Sequence, residues 1–525
     1  MGWPKAKPST LFAGVALLHL KDKPPSLHKF TSKELRVLMA LYSRGIHRSP
    51  AFPFLKPFLP LHFRFNFPIQ TPNLRSFSRS HSTPSHSGCL SAIIPSHREF
   101  DFKYNWIDGA ENLEKYEPGG YHPIMIGDTL QERYQVVDKL GFGGYSTVWL
   151  ARDLRLEQYV AVKVAIADGP DRDSLRHELK ALQALSTPPS SPYVQQHRGC
   201  GLFPLILDEF EIHGPNGAHP CYTTVPARCN LRDVSYSRLF HLDVARALAG
   251  GLALAVAYTH SKGYVHGDIH LSNILIRLPS SLDQLSIEQL YKEYGKPETV
   301  TITQCNKNPL PPNVPAKAAL PLYLGKKAEE FTLSEVGAGV LLGDFGEAFE
   351  PASDLRQGKD CHTPLAFRAP EAHFEPQAPL SYPSDIWGLA TAIWEILGMK
   401  AIFSLEYTNI NKIISQHIDV LGPLPYPWWE SWEERDLFFD GNGKPKEGRG
   451  VWPPIKEAFE EGVQKYRRMD KIGEFDREEA SAILDLMCRM LAFRPEGRPT
   501  AEEVLNSEWM MRWALPCFQR SLQAQ

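Results

Sequence analysis

An α+β chain with two unequal lobes is predicted, on three observations. Apolar residues alternate through 134–165 around a glycine-rich turn, which is strand and hairpin patterning. The stretches "SDIWGLATAIWEILG" (384–398) and "EEASAILDLMCRMLAF" (478–493) instead follow helical patterns. No internal repeat is visible, so a strand-rich piece is followed once by a larger helical piece.

Taken in order, residues 1–100 form a basic leader rich in Pro and Ser, typified by "RSFSRSHSTPSHSG". This acid-poor composition fits a disordered tail, a misassigned start or an organellar transit peptide. Its opening "MGWPKA" is a poor myristoylation site, because Ala6 stands where Ser or Thr is needed. A lead-in segment, 101–133, precedes a small lobe at 134–227. There "QYVAVKVAI" reads as a strand, and "DSLRHELKALQALS" as a helix with Leu175, Leu179, Leu182 and Leu185 at helical spacing. The large lobe is expected over 228–515, with an insert at about 278–340 and a short tail at 516–525. Within the insert, "LSIEQLYKEYG" reads as partly helical, so a wholly disordered spacer is not expected.

The net charge of −3 hides an asymmetry. Residues 1–98 carry 14 Lys and Arg against only Asp22 and Glu34, a net +12 that leaves −15 for the rest. An acidic body attracts basic partners and repels nucleic acid. Eight scattered cysteines without a CxxC pair argue against a zinc site or a disulfide framework. The longest apolar run noted, "LFAGVALLHL", falls short of the roughly 18 residues that span a bilayer.

"GFGGYSTV" sets Gly141 and Gly143 in a tight turn, where bare backbone can close over phosphates and offer its amides. Ser146 stands where a third glycine is usual. Lys163, in "VAVKV", lies among apolar strand neighbours, where a charge is costly without a partner. A phosphate would meet that cost, with the ammonium positioned by Glu178 fifteen residues on; an edge-strand lysine facing water is the plainer alternative. In "YVHGDIHLSNIL" (264–275), Asp268 precedes Asn273 by five positions, pairing a carboxylate that handles a proton with an amide oxygen that holds a metal. "GVLLGDFGEAF" adds Asp344 behind an apolar strand, in an Asp-Phe-Gly tripeptide. Asn273 and Asp344 would offer hard oxygens suited to magnesium. Downstream, "RAPEAH" supplies Ala369, Pro370 and Glu371, with Arg498 as the candidate partner of Glu371. Asp385 stands at a helix start, where it can cap amides and tether the loop that holds Asp268.

With these motifs in this order, the chain resembles a eukaryotic protein kinase over roughly 134–513. The finer resemblance is to the SR-protein-specific kinases, particularly their divergent fungal relatives. It rests on "YEPGGYHPIMIGD", "LGFGGYSTVWLARD", "IDVLGPLPYPWWESW" and "FFDGNG", and on the 71 residues that separate Asn273 from Asp344. The resemblance implies a bilobal protein-kinase-like fold and ATP-dependent, magnesium-assisted phosphorylation of serine or threonine. Leu140, Gly141, Phe142, Gly143, Gly144, Val148, Ala161, Thr224, Val225 and Ala227 would line the nucleotide. Lys163, oriented by Glu178, would hold its α- and β-phosphates, Asn273 and Asp344 would hold Mg2+, and Asp268 would accept the substrate proton. It further implies a monomer acting on basic, Arg/Ser-rich protein segments, with no direct nucleic-acid or membrane partner. A cytoplasmic or nuclear location follows, with a mitochondrial one as the alternative that the leader keeps open. Glu430, Glu433, Glu434 and Asp436 are candidates to attract substrate arginines, a solvated acidic face being the plainer reading.

Two positions depart from the kinase pattern. Gly267 replaces the arginine that grips a phosphorylated activation loop, so activity independent of phosphate on residues 347–368 is expected. His270 replaces a lysine and, partly cationic near neutral pH, is expected to donate one hydrogen bond to the transferring phosphate. Thr363 is expected to contact Asp268. Two rival readings stay open. His-Gly-Asp followed by Asn also fits small-molecule kinases resembling aminoglycoside and choline phosphotransferases, although the Ala-Pro-Glu, "SDIW" and Arg498 features belong to a protein-substrate lobe. A catalytically weak pseudokinase scaffold fits the two substitutions, although Lys163, Glu178, Asp268, Asn273 and Asp344 are all present.

Overall fold

The computed structural model describes residues 102–524, apart from 168–171, 187–198, 236–238, 279, 338 and 405–408. The basic leader and its candidate transit peptide lie outside the described residues. The small lobe is a six-stranded antiparallel sheet. Its strands are β1 (Thr129–Leu130), β2 (Tyr134–Phe142), β3 (Ser146–Asp153), β4 (Gln158–Ala165), β5 (Ile206–Gly214) and β6 (Gly217–Thr224), in the order β1-β2-β3-β4-β6-β5. Side chains alternate between the faces of a strand. Val160, Val162 and Val164 therefore enter one core with Tyr134, Val136, Trp149 and Ala151, and Ala161 and Lys163 point the other way. Register then sets Val148 opposite Lys163, Lys163 opposite Tyr222, and Ala161 opposite Thr224.

The helix Arg172–Ser186 joins the two cores. Leu175 and Leu179 pack beside Tyr222 of the sheet, and Ala181, Leu182 and Leu185 enter the large-lobe core. At the centre of that core runs the helix Leu242–Ser261, buried from Val244 to Thr259 apart from Arg246. It is long and apolar enough to cross a membrane by length and composition, yet 83% of its apolar window is covered by protein. Its uninterrupted apolar stretch, Ala247–Tyr258, is longer than "LFAGVALLHL" but is bounded by Arg246 and Thr259 and still falls short of a bilayer span. Packed on it are the helices Tyr382–Leu397 and Leu515–Gln523. The second of these occupies the expected C-terminal tail, where Cys517, Phe518 and Ser521 are buried.

The insert is ordered through nearly all of its length. It leaves strand β8 (Ile274–Arg277), forms the helix Ile287–Tyr294 behind a Ser286–Gln289 capping box, and pairs β9 (Thr299–Thr301) with β10 (Lys317–Ala319). It returns through β11 (Val340–Leu342), which pairs with β8. On the way it reaches the small lobe. Leu278, Leu282, Leu290 and Leu324 pack with Val137, Leu150 and Tyr159. The Tyr291 hydroxyl donates to the Val137 carbonyl at 2.8 Å, and Leu322 N–H donates to that of Lys139 at 2.7 Å. Ile302, just past β9, and Ala318 of β10 join a satellite core built with Tyr104, Leu113, Tyr116 and Tyr121 of the lead-in segment.

One buried group makes the large lobe acid-sensitive. His417 packs edge-on against Trp387 and Phe403, and neither ring nitrogen has a hydrogen-bond partner among the described residues. Burial, aided by the Arg498 charge, pushes its pKa down to about 3. The unfolded chain takes up a proton near pH 6.5 that the folded one refuses, so stability falls as pH drops through that range. From pH 7 to 5 this one site costs about 2 kcal/mol. His417→Phe is expected to shrink the difference between urea unfolding at pH 7 and pH 5 by that amount; an unchanged difference would refute the assignment.

Candidate active site

The face of β4 that carries Lys163 meets the helix Arg172–Ser186. Lys163 Nζ lies 2.8 and 2.7 Å from the Glu178 carboxylate oxygens and 3.2 Å from Asp344 Oδ1. The Tyr222 hydroxyl, opposite Lys163 in the sheet, donates to Glu178 Oε1 at 2.9 Å. Burial opposes a charge on Lys163, yet the Asp344 and Glu178 carboxylates outweigh it and hold the ammonium well above its ordinary range. The same ammonium lowers the Asp344 carboxyl below its own. Asp344 is exposed and left-handed, at φ 59°. Phe345 behind it is fully buried, edge-on to Phe203 and to the His266 ring. Of the expected nucleotide-lining residues, Val148 and Ala161 share the face of Lys163, and Leu140 to Gly144 form the end of β2 and its turn. Thr224 ends β6, and Val225 and Pro226 connect to β7 (Ala227–Asn230).

The loop 264–273 is held by Asp385. Its carboxylate accepts His266 N–H at 2.7 Å, Gly267 N–H at 2.9 Å and the His260 ring at 2.9 Å. Asp385 thus caps the loop rather than its own helix, whose N-cap residue is Ser381. The side chain of Asp268 is divided in function. Oδ2 meets His270 Nε2 at 3.2 Å and Asn273 Nδ2 at 3.1 Å, whereas Oδ1 is buried with no partner among the described residues. Ser272 N–H donates to His270 Nδ1 at 3.3 Å, so the ring proton sits on Nε2 and points at Asp268. In this geometry His270 Nε2 faces the Asp268 carboxylate. Asn273 directs its side-chain amide N–H groups at Asp268, and its backbone carbonyl accepts Gly343 N–H at 2.8 Å, which brings it beside Asp344.

Gly267 has a structural reason that the sequence does not display. Its φ is +78°, and a Cβ there would stand 2.7 Å from the Glu347 carbonyl oxygen. The bare backbone lets the segment after Asp344 cross directly over the loop. Glu347 in turn is engaged by Arg356 at 2.7 Å and by His362 at 3.0 Å. Thr363 donates to the Gly267 carbonyl at 2.5 Å; the expected contact with the Asp268 carboxylate is replaced by one with the backbone. Farther along, the Arg498 guanidinium forms a buried two-pronged bridge to Glu371, at 2.8 and 2.6 Å.

Comparison with known proteins matches residues 327–510 to the protein kinase domain family. A serine/threonine protein kinase of Aspergillus fumigatus is 26% identical, over 76% of this chain and 90% of its own length. The serine/threonine-protein kinase SRPK of Physarum polycephalum is 24% identical, over 76% of this chain and 91% of its own. SRSF protein kinase 3 of Homo sapiens is 33% identical over 32% of this chain and 29% of its own. The chain carries a protein kinase domain and resembles serine/threonine protein kinases. The domain match takes in Asp344, Glu371 and Arg498, and the relatives matched over 76% of the chain extend the likeness well beyond it.

The residues present in the cleft suit a hard divalent cation. Asp344 is an exposed carboxylate, and the Asn273 amide has only its oxygen left to offer. No cluster of three or more His, Cys, Asp or Glu able to hold a metal exists among the described residues, so oxygens of the nucleotide and water would complete the shell. Glu430, Glu433, Glu434 and Asp436 are all exposed, and Arg435 lies 3.9 Å from Glu430 and offsets part of that charge. Two residues of the site that sequence reasoning missed are Tyr222, which joins the Lys163–Glu178 pair, and His260 beneath Asp385. Neither sits in a local motif, since each is joined to its partner through the fold.

Proposed function

We propose that this kinase transfers the γ-phosphoryl group of ATP to serine or threonine hydroxyls in basic, Arg/Ser-rich protein segments. The unpaired Asp268 Oδ1, within a residue cluster that also contains Asn273, Asp344 and Lys163, carries this reading. Lys163 draws the α- and β-phosphates into line, and Glu178 fixes its direction. Asp268 Oδ1 orients the substrate hydroxyl and takes its proton as the oxygen–phosphorus bond forms and the bond to ADP breaks. His270 and Asn273 keep the other oxygen occupied, so that the carboxylate cannot rotate away. A magnesium ion at Asn273 and Asp344 would neutralise phosphate charge.

The substrate class is supported by the names of the relatives and by charge, since the chain after residue 98 carries a net −15. Purified protein should be offered radiolabelled ATP with an Arg/Ser peptide, a Lys/Ser peptide of equal charge and a generic basic protein. Preference for the Arg/Ser peptide supports the reading. Equal use of all three removes the substrate class, and no transfer to any of them favours a scaffold.

A further inference from the structure

The lead-in segment reaches the glycine-rich turn with two side chains. Lys115 Nζ donates to the Gly144 carbonyl at 2.5 Å, and the Tyr121 hydroxyl donates to the Gly143 carbonyl at 2.6 Å. We propose that Lys115 and Tyr121 are positioning residues for the nucleotide phosphates, holding the turn with its amides already aimed. This rests on reading the cleft as an ATP site.

The geometry of the peptide unit carries the inference. In a trans peptide the C=O and the following N–H point in opposite directions. Fixing the carbonyls of Gly143 and Gly144 therefore turns the N–H groups of Gly144 and Tyr145 away from the lead-in segment, both to the same side. Two consecutive amides so directed form an anion-binding concavity. A glycine-rich turn left to itself must surrender much conformational freedom when it closes on a phosphate. A turn already held gives up less, which strengthens binding without adding a contact to the ligand.

The hold is built into the fold. A Cβ on Gly120 would fall 1.9 Å from the Lys115 carbonyl oxygen, so only glycine lets the chain double back and set Lys115 beside Tyr121. Tyr121 N–H then donates to that carbonyl at 2.8 Å. Asn216, in the turn between β5 and β6, holds the Tyr121 carbonyl at 2.7 Å, and Asn313 of the insert holds that of Tyr116 at 2.7 Å. Glu111 bridges the Tyr116 hydroxyl and the buried Lys139 ammonium, both at 2.5 Å, two residues before Gly141. Tyr121 is itself buried.

The test compares Tyr121→Phe and Lys115→Met with the unaltered full chain, by calorimetry with Mg-ADP and with adenosine and by steady-state kinetics. Each variant is expected to bind Mg-ADP about three- to tenfold more weakly, with KM for ATP raised in step. Adenosine affinity and KM for the peptide should stay unchanged, and Lys115→Arg should restore binding. Unchanged Mg-ADP affinity in both variants overturns the proposal. So does an equal loss for adenosine, which would mean that the two residues only support the lobe. Failure of the unaltered chain to bind Mg-ADP would instead overturn the ATP-site reading, and the proposal with it.

Discussion

Asp268→Asn is expected to slow phosphate transfer by about two to four orders of magnitude, while Mg-ATP affinity is nearly unchanged. The asymmetry of the Asp268 carboxylate sets this outcome. Two donors, His270 Nε2 and Asn273 Nδ2, converge on Oδ2. An asparagine must turn its oxygen toward those donors, because its own NH2 would clash with them electrostatically. That leaves the NH2 where Oδ1 now stands, and an amide there cannot accept a proton. The variant keeps the shape of the loop and loses the base. Single-turnover transfer of labelled phosphate, with calorimetry of Mg-ATP, separates the two effects. A residual rate within about tenfold of the unaltered protein would show that positioning alone carries the reaction and that Asp268 is not its base.

Arg498→Met is expected to cost about 3–5 kcal/mol of unfolding free energy, more than Glu371→Gln. The guanidinium has no exposed surface. Besides Glu371 it serves the carbonyls of Ala492, Pro383 and Phe493, at 2.8, 2.9 and 2.9 Å. Removing it strands a buried carboxylate and three backbone acceptors together. Glu371→Gln removes a charge but leaves an amide oxygen to accept one of the two bonds, and Arg498 keeps its three carbonyls. The arginine also lies over the Trp387 ring at 5.1 Å. Urea unfolding followed by tryptophan fluorescence measures both variants. Equal losses would mean that the carbonyl contacts contribute nothing.

What could be read from the residue order depended on how local each signal was. Alternation in "VAVKV" suffices to put Lys163 on the face opposite Val160, Val162 and Val164, because strand period is a property of neighbouring residues. Asp268 and Asn273 lie in one short loop, and the helix of Glu178 carries its own 3.6-residue spacing. The contacts that escaped are those made by distant parts of the chain. Nothing near Gly267 shows that the Glu347 backbone will cross it, and nothing near Thr363 shows that its hydroxyl will meet a carbonyl rather than a carboxylate. The direction of His270 depends on the Ser272 amide, a matter of loop dihedrals rather than of residue type. The insert was legible as helical at 285–295, but its docking on Val137 and Lys139 depends on residues about 150 to 180 positions away.

That insert changes how many times the backbone passes between the lobes. Beyond the connection at Val225–Pro226, the chain climbs from β8 to the small lobe and comes back to β11. Each passage is tied by apolar packing on one side and by pairing with the large lobe on the other. Melting of the sheet alone therefore carries an added cost, since the strap would have to shed Leu282, Leu290 and Leu324 to water at the same moment. The strap thus couples the melting of the sheet to that of the helical half.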